Sequence, residues 1–75
     1  MILEGKLVKI GDDRLTFVAK DKTYRIDLVA MTKVMRRGRM SDRTALAVDQ
    51  TLRITGPTAG WTTKVVTALQ IDIVG

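Results

Sequence analysis

Hydrophobic positions recur with a two-residue period along almost the whole chain, which argues for β-strands rather than helices. Residues 23–29 alternate most cleanly. Tyr24, Ile26 and Leu28 fall on one face, and Arg25, Asp27 and Val29 on the other, the pattern of an antiparallel strand with one wet side. In the run before it, Leu15, Phe17 and Ala19 share a face, and the short polar connection Asp21-Lys22 reads as the link of a hairpin. Residues 2–10 form the first run, with Leu3, Leu7, Val8 and Ile10; Gly5 inside it predicts a bulge or bend, and Gly11-Asp12-Asp13 a turn. Further along, Lys33-Val34-Met35-Arg36 and Arg39-Met40 flank Arg37-Gly38, which predicts a hairpin tip with Gly38 at positive φ. Ser41 is placed to cap one helical turn over residues 42–46. Val48, Asp49 and Gln50 then open a strand in which Leu52 and Ile54 face inward and Arg53 outward. Residues 56–60 read as a loop by composition. The last run, residues 61–74, has Leu69, Ile71 and Ile73 on its buried side and Gln70 and Asp72 on its wet side.

Five strands with a short insertion between the third and the fourth fit a small all-β antiparallel barrel. The OB-fold matches best: a long first strand with a glycine bend, a three-strand meander, a short connecting element, then two more strands. An SH3-like barrel is the alternative, since it also closes five short strands. The whole chain, residues 1–75, reads as one domain carrying a basic hairpin insertion at about residues 32–43, with no internal repeat, low-complexity segment or linker.

Several stretches also carry a resemblance. Glu4-Gly5-Lys6-Leu7-Val8, Thr32-Lys33-Val34 followed by Gly38-Arg39, Ala45-Leu46, residues 49–56 and residues 66–71 together resemble a bacterial family of small OB-like barrels of unknown function. The resemblance spans nearly the whole chain. Its motifs are turn glycines and alternating aliphatics, so it implies a fold and no mechanism, and it implies export for many members. Residues 49–56 also resemble the fourth strand of OB-fold nucleic-acid binders.

Composition narrows the chemistry. A chain of 75 residues buries only about 60% of its unfolded surface, and without cysteine it has neither disulfides nor thiolate metal sites to help. There is no histidine. General acid–base and nucleophilic catalysis draw mostly on His, Cys or paired carboxylates. The only adjacent acids, Asp12-Asp13, lie in a turn where their side chains diverge, and Ser41 is accounted for by capping. The expectation is a non-enzymatic protein with no catalytic residues and no cofactor. Met31, Met35 and Met40 form the one conceivable metal set, since thioethers hold soft Cu(I), but methionine more often fills gaps in cores, so no metal site is assigned. Residues 56–60 lack the Lys-Ser/Thr and the following helix of a phosphate-binding loop.

Charge supplies the functional expectation. The net charge is +5, and Lys33, Arg36, Arg37, Arg39 and Arg43, set against Asp42, place +4 of it within residues 33–43. Such clustering favours an anionic partner. Guanidinium forks pair with phosphate bidentately, and an OB barrel binds oligonucleotides on its second and third strands and flanking loops. The sequence therefore predicts binding of single-stranded DNA or RNA through the hairpin and a barrel face. Arg36, Arg37, Arg39 and Arg43 would meet phosphates, Trp61 would stack on a base, and Lys33, Arg53 and Lys64 would stand at the periphery. The alternative is a protein-interaction or homo-oligomerisation module for an acidic partner, because Arg and Met are enriched at interfaces. A charged hairpin that merely guards a sheet edge is the plainest reading. No run is long and apolar enough to span a bilayer, and the N-terminus lacks the parts of a signal peptide. That points to the cytoplasm, or to export if a leader has been removed.

Overall fold

The computed structural model describes residues 1–74. Its strands are β1 (Ile2–Ile10), β2 (Arg14–Ala19), β3 (Lys22–Arg36), β4 (Arg39–Ser41), β5 (Thr51–Thr55), β6 (Thr58–Ala59) and β7 (Thr62–Val74), with one 3-10 turn at Arg43–Ala45. They form one sheet in the order β4-β3-β2-β1-β5-β7-β6, closed by an additional β3–β7 pairing. The closing pair is parallel, and the others are antiparallel. The closed unit is the five-strand OB-like barrel of β1, β2, β3, β5 and β7, with β4 and β6 as short additions. Its core gathers Leu7, Leu15, Phe17, Ile26, Val34, Leu52, Ile54, Val66 and Ile71, all 2% exposed or less.

Closure depends on β1 serving two neighbours. Its first half pairs with β5 and its second half with β2, and Lys6 is opposite both Thr51 and Val18. Gly5 sits at this changeover. A β-carbon there would lie 2.0 Å from the Val18 carbonyl oxygen, so only glycine lets β1 come this close to β2. The bulge or bend expected at Gly5 is not where the ladder breaks: the register shift falls three residues on, between Leu7 and Lys9, and Gly5 is needed for close approach instead.

Other expectations need correction. The third strand does not stop at Val29: β3 runs on to Arg36 through an irregularity between Leu28 and Lys33. Thr32 holds this irregularity. Its Oγ1 accepts from the Val29 amide at 2.9 Å and donates to the Ala68 carbonyl at 2.6 Å. Because β3 gains residues there, the inward face of β7 shifts as well. Val66 and Ala68 point in, then Ile71 and Ile73, which leaves Leu69 47% exposed rather than buried. The link between β2 and β3 is Lys20-Asp21, one residue earlier than read, with both residues at positive φ. The predicted hairpin tip is present at Arg37-Gly38, where φ is +52° and +76°, and Arg36 pairs with Arg39.

The cap beyond the hairpin is Asp42 rather than Ser41, and the turn is 3-10 rather than helical. The Asp42 carboxylate accepts from the side-chain hydroxyl and the backbone amide of Thr44, which lowers its pKa, the hydroxyl contact contributing most. This turn delivers Leu46 into the core at 8% exposure. Val48–Gln50 do not open a strand. The chain bends there, with Asp49 at φ +75°, and β5 begins at Thr51. Within the loop expected at 56–60, Thr58 and Ala59 form β6 and pair with β7.

Candidate functional site

Residues directly opposite one another in a ladder share a face, so the register sorts the surface. Leu7, Phe17 and Tyr24 are one cross-strand row pointing inward. The rows beside it, Lys9–Thr16–Arg25 and Lys6–Val18–Thr23, therefore point outward, as does Arg14 opposite Asp27. Lys6, Lys9, Arg14 and Arg25, drawn from three strands, thus lie exposed on one outer face. Asp27 is the acid among them. It takes the Arg25 guanidinium at 3.0 Å, an exposed pair of the kind that contributes little to stability.

The β6–β7 turn stands over one side of this face. On β7, Val65 lies opposite Arg25 and Val66 opposite Ile26. Both valines are buried, although consecutive residues of a strand point to opposite sides. Val65 is therefore covered from outside the barrel. Beside it opens a cavity of about 450 Å³, lined by Arg14, Thr16, Thr23, Tyr24 and Arg25 from β2 and β3 and by Trp61, Thr62, Lys64 and Val65 from the β6–β7 side. No carboxylate lines it; three cations, one indole and three threonines do. Trp61 is 76% exposed on the turn. Tyr24, read from sequence as core, packs on the core cluster and also reaches the cavity wall.

The register disperses the residues singled out by sequence. Trp61 and Lys64 come together at the cavity. Lys33, Arg36, Arg37 and Arg39 lie toward or beyond the other end of β3 and take no part in its lining. Arg43 bridges the β1–β2 turn and β3: its Nη1 contacts Asp13 at 3.4 Å and its Nη2 donates to the Val29 carbonyl at 2.9 Å. Arg53 lies on another outer face, 3.4 Å from Glu4 on the neighbouring strand. Conversely, Lys6, Lys9, Arg14 and Arg25 were not picked out in the sequence, because they are spread along 20 positions and only the β1–β2–β3 pairing aligns them. The outward alternation of Arg25 with Asp27 was the one available signal.

For metals, Met35 and Met40 are directly opposite on β3 and β4, while Met31 sits in the irregular part of β3 and is 78% exposed. No group of three His, Cys, Asp or Glu that could hold an ion is present among the described residues, and no helix among them is long and apolar enough to cross a membrane. No protein-family model matches the chain, and no curated protein or solved structure matches it either.

Proposed function

We propose that this protein binds single-stranded DNA or RNA, without chemistry, on the outer face of β1, β2 and β3. The observation that carries this reading is the carboxylate-free cavity in which an exposed Trp61 stands beside Arg14, Arg25 and Lys64. It occupies the region where OB barrels take oligonucleotides, the second and third strands with the loop before the last strand. An indole offers a platform for any base, contributing about 1–3 kcal/mol per base stacked, and Lys6, Lys9, Arg14 and Lys64 provide a track for phosphates. Among the described residues, Trp61 is the one exposed aromatic of the large apolar side chains held in water, and on its turn beside cations it has no role in the core.

Titration with a short oligothymidylate, followed by Trp61 fluorescence, tests the proposal. Quenching with an affinity that falls as salt rises is the expected result. A fluorescence signal that does not move at any salt concentration overturns it. A second reading, self-association, rests on a different observation: Ile2, Val29, Met31 and Leu69 are all exposed, on strands other than β2. Sedimentation at increasing protein concentration addresses it, and a monomer throughout removes it.

A further inference from the structure

The described residues hold three ion pairs, and each uses an arginine: Arg25 with Asp27, Arg43 with Asp13, Arg53 with Glu4. The β3–β4 hairpin is the contrast. Arg36 lies directly opposite Arg39, Arg37 occupies the tip between them, and none of the three contacts a carboxylate among the described residues. Like charges directly opposite on paired strands are destabilising. Arg37 adds a second cost, since a residue with a β-carbon at φ +52° sits in the left-handed region that glycine tolerates best. The hairpin thus concentrates three guanidiniums in an arrangement that the fold itself does not reward, on a two-residue turn that fixes their spacing.

Its position matters as much as its charge. Arg25 at the cavity and Arg36 at the hairpin are on the same strand, eleven positions apart. At about 3.3 Å per residue a straight strand would cover at most roughly 36 Å between them, a span that the irregularity between Leu28 and Lys33 shortens. Lys33 lies between the two along β3, exposed and opposite Gln70. The cavity and the hairpin are therefore two separate cationic stations on one continuous element. A base can stack at Trp61; the hairpin has no aromatic residue, and its guanidinium forks match phosphate oxygens bidentately.

We infer that the β3–β4 hairpin is a second phosphate-binding station, which engages the backbone of the same single strand only when that strand is long enough to reach past the cavity. This rests on the proposed binding at the cavity and deepens it: the preferred ligand is a continuous polyanionic strand rather than a mononucleotide or a very short oligomer. OB folds occlude about 4–16 nucleotides each, and a strand that engages both stations is longer than one that fills the cavity alone.

The test uses oligothymidylates at the two ends of the range, about 4 and about 16 nucleotides long, with the intact protein and with an Arg36→Ala/Arg37→Ala/Arg39→Ala variant. Far-UV circular dichroism first establishes that the variant is folded. An Arg36→Lys/Arg37→Lys/Arg39→Lys variant keeps the charge and serves as a second comparison. Each phosphate contact on a single strand contributes about 0.7 to the slope of log affinity against log salt. With the longer oligomer, the alanine variant should lose about 2 from that slope and bind roughly ten- to fifty-fold more weakly near physiological salt. The lysine variant should keep most of both. With the shorter oligomer, all three proteins should quench Trp61 with the same affinity.

Equal affinity of parent and alanine variant for the longer oligomer overturns the second station while leaving the cavity reading intact. An equal loss for both lengths also overturns it, because the hairpin would then belong to a single site. Displacement by an acidic peptide that cancels the hairpin's contribution at lower concentration than the oligonucleotide would assign the hairpin to a protein partner instead. Absence of quenching by any oligomer is the separate failure of the cavity proposal.

Discussion

Replacing Gly5 by alanine tests whether the barrel closes where β1 changes partners. The new β-carbon would lie 2.0 Å from the Val18 carbonyl oxygen and 2.9 Å from the Ala19 α-carbon, against 3.4 Å or more for ordinary contact. Both obstacles are backbone, so no side chain can swing away, and the strands would have to part by about 1.4 Å. Parting them weakens the ladder at the adjacent Lys6–Val18 pair. A lost backbone hydrogen bond costs about 0.5–1.5 kcal/mol net, and overpacking adds about 1–3 kcal/mol. The expected loss is roughly 3 kcal/mol, from a domain whose total stability at this size is about 4–11 kcal/mol. Urea unfolding followed by far-UV circular dichroism measures it. Gly60→Ala is the control, since nothing lies within 4 Å of a β-carbon there; it should stay within about 0.5 kcal/mol of the parent. A Gly5→Ala protein that unfolds within about 1 kcal/mol of the parent, or a Gly60→Ala protein that loses as much, refutes the closure argument.

Three further outcomes are expected. Leu46→Ala removes the side chain that the 3-10 turn delivers to the core and should cost about 2–5 kcal/mol, read as a lower urea midpoint at unchanged m-value. Thr32→Val keeps the shape but deletes both hydrogen bonds that anchor the irregularity of β3; a loss of about 1–3 kcal/mol is expected, with faster amide exchange at Val29. The pKa of Asp42 is depressed in the folded state by its bonds to Thr44. Its contribution is therefore complete above the unfolded value of 3.8 and fades as pH falls below it. Acid titration followed by NMR should show the Thr44 amide shifting below that pH, and Asp42→Asn should shrink this response.

The strand content of the barrel was legible because its alternation is local. Tyr24, Ile26 and Leu28, and Leu15, Phe17 and Ala19, carry the two-residue period without interruption, and the core follows it. The reading failed where one strand changes face. Residues 29–32 break the period of β3, so the continuation to Arg36 looked like a new element, and the matching shift in β7 put Leu69 outside. The site was less legible than the fold, for a related reason. Charge density along the chain drew attention to residues 33–43, whereas the cationic face beside Trp61 is assembled by register across β1, β2 and β3, and no single stretch of sequence contains it. Trp61 is legible as an aromatic residue at the edge of the loop before the last strand, and Lys64 as a cation close to it in sequence; Arg14 and Arg25 become their neighbours only through the β3–β7 closure.

The most direct measurement of the central claim is the salt dependence of single-strand binding by the parent and by an Arg14→Ala/Lys64→Ala variant, with an oligonucleotide of about 4 nucleotides that fills the cavity alone. If phosphates meet these two side chains, the slope of log affinity against log salt should shrink by about 1.4, at 0.7 for each contact removed. Trp61 should still be quenched at low salt. An unchanged slope and unchanged affinity in the variant would contradict the account and move the ligand away from this face.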